Sequence, residues 1–254
     1  MYALCNLSVV PIREEASHKS QQITQILYGD VCFIIRKQDN WLYVRIDFDQ
    51  YEGWVDEKQV QPIDEQTYRE IKETPPRYAS DLVDFVQSID DENQLQPICI
   101  GATTSNSHFL GQLFTGDIQQ GVNRKDLIEI AYKYLNAPYQ WGGKSPFGID
   151  CSGLVQMIYK LIGISIPRDA YQQSGIGHSV DFIEETKAGD LVFFDNFEGQ
   201  ITHVGMIIQK NYIIHAHGKV RIDALDHNGI YNIDFQKYTH KLRMIKRILP
   251  NEEK

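Results

Sequence analysis

The sequence predicts an α+β fold in which a small β-barrel precedes a larger mixed unit, on three observations. Residues 1–63 hold short apolar or alternating stretches separated by turn residues, the pattern of a small barrel. Two later stretches, 123–135 and 151–162, carry apolar residues at helical spacing. After residue 190 the chain returns to strand-like segments. Helices followed by a run of strands is the α+β order.

In the first region the strand candidates are 7–12, 31–35, 41–46 and 53–55, with turn chemistry at Tyr28-Gly29-Asp30 and Asp39-Asn40. Residues 64–120 read as a connector with an incomplete second barrel. Glu73-Thr74-Pro75-Pro76 breaks the chain, Ser80-Asp81 caps a short helix through Val86, and 98–101 and 109–114 are strand candidates. Residues 121–254 form the third region. Asn123 caps a helix in which Leu127, Ile130, Ala131, Tyr134 and Leu135 share a face, and Pro138 stops it. A second helix starts at Cys151 and ends near Gly163. The strand candidates 191–194, 204–208, 212–216 and 220–222 follow.

Composition narrows the function. The chain has 254 residues, 42% of them hydrophobic, and a formal net charge of -9. That charge argues against nucleic acid or an anionic membrane as partner. The four cysteines, Cys5, Cys32, Cys99 and Cys151, are scattered without a CxxC pair, so neither a metal site nor a disulfide framework is expected. Residues 1–10 lack a basic start and a long apolar run, and no stretch is long enough to span a bilayer. A cytoplasmic monomer with free thiols is expected; a periplasmic location would fit a chain from which a signal had been removed.

Cys151 is the centre of the chemistry. It sits where a glycine-punctuated loop becomes a helix, with Asp150 as N-cap. Backbone N–H groups and the helix dipole there favour an anion, so a thiolate nucleophile is expected; a buried structural cysteine is the alternative. A thiol nucleophile needs a base, and the base an orienting partner. Residues 201–208 and 212–217 read as a hairpin. With its turn centred on Gln209, His203 and His215 lie nearly opposite one another on adjacent strands. His217 shares a face with His215 and rivals it for the third position.

These residues fall in motifs that resemble the NlpC family of papain-like cysteine peptidases: Pro138-Tyr139-Gln140-Trp141-Gly142-Gly143, Asp150-Cys151-Ser152-Gly153-Leu154, Pro167-Arg168-Asp169, Ala188-Gly189-Asp190-Leu191-Val192-Phe193-Phe194, His203-Val204-Gly205 and Ile214-His215-Ala216. Residues 1–63 are similar to bacterial SH3-like domains through Val10-Pro11-Ile12-Arg13, Gln25-Ile26-Leu27-Tyr28-Gly29-Asp30, Trp41-Leu42-Tyr43-Val44 and Tyr51-Glu52-Gly53-Trp54-Val55. The resemblance implies a papain-like NlpC domain behind an SH3-like barrel, with Cys151 as nucleophile, His203 as base and His215 orienting it. It implies no cofactor and no metal, and a murein peptide as substrate.

The order of barrel, connector and catalytic unit resembles the subgroup that cleaves the γ-D-glutamyl–diamino acid bond of wall peptides with a free N-terminal L-alanine. That likeness implies Asp169 as a partner of the α-ammonium, with Glu15 and Tyr51 from the barrel, the alternatives for these two being an ordinary surface acid and barrel packing; position 170 is alanine where a serine is often found. The wider family's pattern implies Tyr139 near the oxyanion, or packing its loop; Asp150 and Ser152 flank the nucleophile and are candidates to touch substrate, or cap the helix alone, and Arg168, in the Pro167-Arg168-Asp169 motif, is a further candidate beside the substrate. The rival functions are an acyltransferase or amidase on the same fold and a non-catalytic wall-binding protein.

Overall fold

The computed structural model describes residues 1–119 and 124–249. The chain divides into two compact units. Met1–Gln120 forms the first together with Gln140–Gly148 and Gly163–Ser165; the second comprises Gly121–Tyr139, Ile149–Ile162 and Ile166–Lys254.

The first unit opens with a seven-stranded antiparallel sheet. Its strand order is Gln22–Leu27, Val9–Arg13, Glu52–Asp56, Trp41–Ile46, Val31–Gln38, Tyr2–Leu4 and Gln61–Ile63. Alternation explains the inward face: Leu42, Val44 and Ile46 are buried between more exposed neighbours and join Val10, Ile12, Ile26 and Val55 in one core. Two segments distant in sequence belong to this unit. The Lys144 N–H donates to Gln25 Oε1 at 2.7 Å, and the Ser165 hydroxyl to the Phe48 carbonyl at 2.8 Å. At Gly142, φ is 72° and a side chain would meet the Gln22 carbonyl, so a glycine is required.

Residues 64–119 differ from the expectation in detail. A helix, Glu65–Glu73, is capped by Asp64, whose carboxylate accepts from the Thr67 N–H at 2.8 Å. The expected helix through Val86 is instead the strand Val83–Ser88, in a three-stranded antiparallel sheet with Leu95–Cys99 and Gln112–Leu113. Val83, Phe85 and Val86 suit a pleated surface, and ladder pairing with Leu95–Cys99 outweighs the local cap signal of Ser80-Asp81. Most of 109–114 is likewise not strand: a 3₁₀ helix, Thr104–Leu110, ends at Gly111 with φ 66°. Val86 and Ile98 pack with Tyr28, Ala79 and Ala102.

In the second unit the helices are Arg124–Lys133, Cys151–Leu161 and the short Ala170–Gln173. The expected cap Asn123 lies outside the described residues. Leu127, Ile130, Ala131 and Tyr134 are buried as expected, whereas Leu135, beyond the helix end, is exposed. Every residue of Cys151–Leu161 is buried. The sheet runs His178–Ser179, Lys237–Arg247, Leu191–Asp195, Ile201–Gln209, Tyr212–His217, Lys219–Asp226 and Gly229–Asn232, and the last strand also pairs with Lys237–Arg247, closing the sheet on itself. Val192, Phe194, Ile207, Ile213, Leu225, Ile230 and Ile245 fill it. Asp190, in the Ala188-Gly189-Asp190 motif, is fully buried and accepts two hydrogen bonds from Arg247, at 2.8 and 2.7 Å. Its part is structural.

Candidate active site

Cys151 opens its helix, as expected. Asp150 is extended at the N-cap and accepts from the Gly153 N–H at 2.7 Å. The same carboxylate is gripped by Arg168, whose Nη1 and Nη2 donate to its two oxygens at 2.9 and 2.6 Å; Nη1 also donates to Ser152 Oγ at 2.9 Å. Arg168 is 1% exposed. Its guanidinium is thus committed to fixing the first helical turn, and Asp150 and Ser152 are committed with it. The two-point grip needs the planar fork of arginine.

The second side of the site comes from the sheet. By the period of two, His203, Gly205 and Ile207 share a face, as do Ile213, His215 and His217. The hairpin register differs from the expected one. Gln209 pairs with Tyr212 around a two-residue turn at Lys210-Asn211, where Asn211 takes φ 62°, and a bulge follows Ile207. His215 therefore pairs with Gly205 and sits diagonal to His203. Diagonal neighbours are within reach of long side chains, and His203 Nε2 meets His215 Nδ1 at 2.8 Å. Gly205 keeps the space between them clear: a Cβ there would lie 2.9 Å from the His215 Cβ. His217 is exposed, its ring centroid 6.5 Å from that of His203, so the histidine that bonds His203 is His215 and not His217.

Two residues that motif reading missed complete the cluster. Asp223, fully buried, accepts from or faces His215 Nε2 at 3.1 Å. His240 stacks on His203 with centroids 4.2 Å apart and planes at 24°. Arg221 and Asp223, two residues apart and so on one face of a strand, were the available signal for Asp223; His240 carried none. Among the described residues, His203, His215 and His240 form the group able to hold a metal ion, with ring nitrogens within 4.8 Å of one another.

Burial sets the charge states. It pushes the Cys151 thiol up to about 12, with Asp150 adding to the effect; the N–H groups of Val204 and Ser152 and the Arg168 charge pull the other way and lose. This corrects the expected resting thiolate: desolvation at 7% exposure outweighs the helix start. Burial likewise holds His203 well below 6.5, aided by His215, His240 and His217, and lowers His215. Burial thus favours the neutral thiol at Cys151 and the neutral imidazole at His203.

Tyr139 is 38% exposed and electrostatically coupled to Cys151; desolvation, then Cys151 and Asp150, raise its hydroxyl to about 12, so it stays a donor at neutral pH. Asp169 is half-buried at the N-cap of Ala170–Gln173, its own N–H donating to Gln172 Oε1 at 3.3 Å. Ala170, where a serine was noted as common, is 8% exposed. In the first unit, Glu15 is exposed in the turn after Val9–Arg13, and Tyr51 is half-buried against the barrel core.

The imidazole cluster makes a prediction about stability. His240 is lowered to about 4, chiefly by burial and then by His215 and His217. With His203 and His215 lowered too, the unfolded chain binds these protons first, so stability is complete above about 6.5 and is lost as pH falls below it. At about 1.4 kcal/mol per unit, His240 alone would contribute up to ~2 kcal/mol of loss between pH 6.5 and 5. Thermal unfolding should show that decline, and His240→Phe, which keeps the stacked ring, should flatten it. Equal slopes for both proteins would count against the shift.

Comparisons with known proteins place the chain in a family. The model of the NlpC/P60 family matches residues 136–241, and that of the bacterial dipeptidyl-peptidase Sh3 domain matches residues 12–60. The gamma-D-glutamyl-L-lysine dipeptidyl-peptidase of Bacillus subtilis (strain 168) is 31% identical over 217 residues, covering 76% of this chain and 71% of that protein. The chain belongs to the NlpC/P60 family. It is also 27% identical to dipeptidyl-peptidase 6 of Lysinibacillus sphaericus, over 89% of this chain and 92% of that protein. An NlpC/P60 family protein from Bacillus cereus shares the fold, with a TM-score of 0.80 at 21% identity, over 98% of this chain and all of the other. With peptidase relatives over most of its length, the chain is a cysteine peptidase.

Proposed function

We propose that this NlpC/P60 peptidase hydrolyses the γ-D-glutamyl–diamino acid bond of murein peptides that begin with a free L-alanine, in peptidoglycan turnover. The observation that carries the reading is the Cys151 thiol at the Asp150-capped helix start, at the Val204 N–H, together with the His203–His215 pair. The naming of a relative for γ-D-glutamyl-L-lysine bonds supports the bond type.

The chemistry follows from the neutral resting pair. His203 takes the thiol proton as Cys151 Sγ attacks the γ-glutamyl carbonyl carbon, so an S–C bond forms and the carbonyl oxygen becomes an oxyanion. The Tyr139 hydroxyl is the donor offered to that oxyanion. His203 returns the proton to the leaving amine nitrogen and the C–N bond breaks, leaving a thioester. Water, deprotonated by His203, attacks the thioester and frees the carboxylate and the thiol. Proton transfer by a positioned side chain is worth about 10²–10⁴ in rate.

Asp169 supplies the charge for the substrate α-ammonium, because a desolvated ammonium needs a paired carboxylate. Asp169→Asn isolates that charge, since asparagine caps a helix as well as aspartate. We expect cleavage of L-Ala-γ-D-Glu-diaminopimelate to lose roughly tenfold or more in kcat/KM, at ~1.4 kcal/mol per tenfold. N-acetylating the peptide should harm the native enzyme similarly and add little further loss in the variant. Rapid cleavage of the acetylated peptide, or of intact cross-linked wall, would sink the free-amine reading.

A further inference from the structure

We propose that Asp223 is a positioning residue that sets the tautomer of both active-site imidazoles and so makes His203 Nδ1 the atom that receives the thiol proton. The proposal deepens the cysteine-peptidase mechanism above and rests on it for its catalytic consequence.

The argument starts at the carboxylate. Asp223 Oδ2 faces His215 Nε2 at 3.1 Å and accepts from Arg221 Nε at 2.6 Å. Its Oδ1 accepts from Arg221 Nη2 at 2.8 Å and from the Ile233 N–H at 3.2 Å. Arg221 is itself held from outside by Asp234, Nη1 to Oδ2 at 2.9 Å. Burial alone would raise the Asp223 carboxyl, but the bonds from His215, Arg221 and Ile233 outweigh it and hold it far below the usual carboxylate range. An ionised carboxylate only accepts, and arginine only donates. The hydrogen between His215 and Asp223 must therefore sit on His215 Nε2.

The consequence passes along the chain of rings. A neutral imidazole carries one hydrogen, so with Nε2 protonated His215 presents a bare Nδ1. His203 Nε2 lies 2.8 Å from that lone pair and must be its donor. His203, neutral in turn, is left with a bare Nδ1. During reaction the Cys151 proton adds there, giving an imidazolium that keeps its Nε2–H on His215, and leaves from the same atom to the departing amine. No proton passes through Asp223.

Without this carboxylate the other tautomer becomes available. His215 could carry its hydrogen on Nδ1 and donate to His203 Nε2, which would place the His203 hydrogen on Nδ1 and block it as a base. Asparagine at 223 invites that reversal. Whichever way its amide turns, the NH₂ faces an Arg221 N–H, and one orientation also donates to His215 Nε2.

Long-range ¹H–¹⁵N correlation on the histidine-labelled wild-type protein at neutral pH, assigned with His203→Gln and His215→Gln, tests the assignment without substrate. Expected are protonated Nε2 and bare Nδ1 signals for both rings; a His203 protonated on Nδ1 overturns the proposal. In Asp223→Asn we expect kcat to fall about 10²–10⁴-fold with KM changed only a few-fold, as a wrong tautomer does in a serine-protease triad, and the His203 signals to mix or reverse. A kcat within threefold of wild type would also overturn it. Should the variant not fold, the wild-type spectrum decides alone. Failure of the wild type to cleave the peptide would tell against the peptidase reading and leave the tautomers standing, whereas an active enzyme with the opposite tautomer would defeat this proposal only.

Discussion

Cys151→Ser should abolish hydrolysis while the protein keeps its fold. The exchange leaves the helix start untouched, because Asp150 caps through the Gly153 N–H and not through residue 151. Serine fits the space of cysteine at a site 7% exposed, so we expect a loss no larger than about 1 kcal/mol, or roughly 2–4 °C in Tm for a chain of this size. The chemistry is another matter. The thiol already sits at about 12 because of burial, and His203 is a weak base because it is buried too. An alcohol is a far weaker acid than a thiol, so the same imidazole cannot deprotonate it at useful rates. A loss on the order of 10⁴ or more in kcat is expected, the scale seen when a triad nucleophile is removed. Peptide products separated by chromatography, beside a thermal melt, would check both halves. Substantial residual turnover would require another nucleophile. Ser152 is a poor candidate, since its hydroxyl is held by Arg168 and Asp150, and Cys5, Cys32 and Cys99 are buried in the other unit.

What could be read from the sequence was what local pattern decides. The barrel strand Trp41–Ile46 was found to the residue because its alternation is clean and a single face is buried. The Cys151 helix was found because cap, apolar spacing and Gly163 agree. Where tertiary pairing competes with a local signal, the reading failed, as at Val83–Ser88, where a cap-like Ser80-Asp81 precedes a strand. His203 and His215 were paired correctly but in the wrong register, because a bulge after Ile207 cannot be counted from residue types. Asp223 and His240 reach the histidines from the strands Lys219–Asp226 and Lys237–Arg247, and only the strand order brings them there. The thiolate expectation failed for a different reason. A helix start is visible in a sequence, but the extent of desolvation around the sulfur is not, and here desolvation is the larger effect. Residues 140–148 group with the first unit, which motif reading alone had assigned to the catalytic region.

His203→Ala should cost far more than His215→Ala, and His217→Ala least of all. In the proposed mechanism His203 acts in three transfers: from the thiol, to the leaving amine, and from water. Its removal leaves a buried thiol with no acceptor, so we expect a loss approaching that of Cys151→Ser, on the order of 10⁴ in kcat. His215 touches no reacting atom. It holds His203 at 2.8 Å through one nitrogen and faces Asp223 at 3.1 Å through the other. Cutting it to alanine frees the base to turn and leaves buried polar groups short of one partner each, a cost of about 1–3 kcal/mol. Asp223 keeps Arg221 and the Ile233 N–H, which limits the damage to the fold. Water admitted to the space vacated by His215 can bridge part of the gap. A loss of roughly 10²-fold, mainly in kcat, is therefore expected, with a modest fall in Tm. His217 makes ring contacts with His240 and His203 from an exposed position and should change kcat by less than about threefold, the effect of an ordinary surface exchange. Three single variants assayed on one free-amine peptide, each with a thermal melt, decide the order. Equal losses for His203→Ala and His215→Ala would remove the distinction between base and orienting residue, and a His217→Ala protein worse than His215→Ala would move the third position to His217.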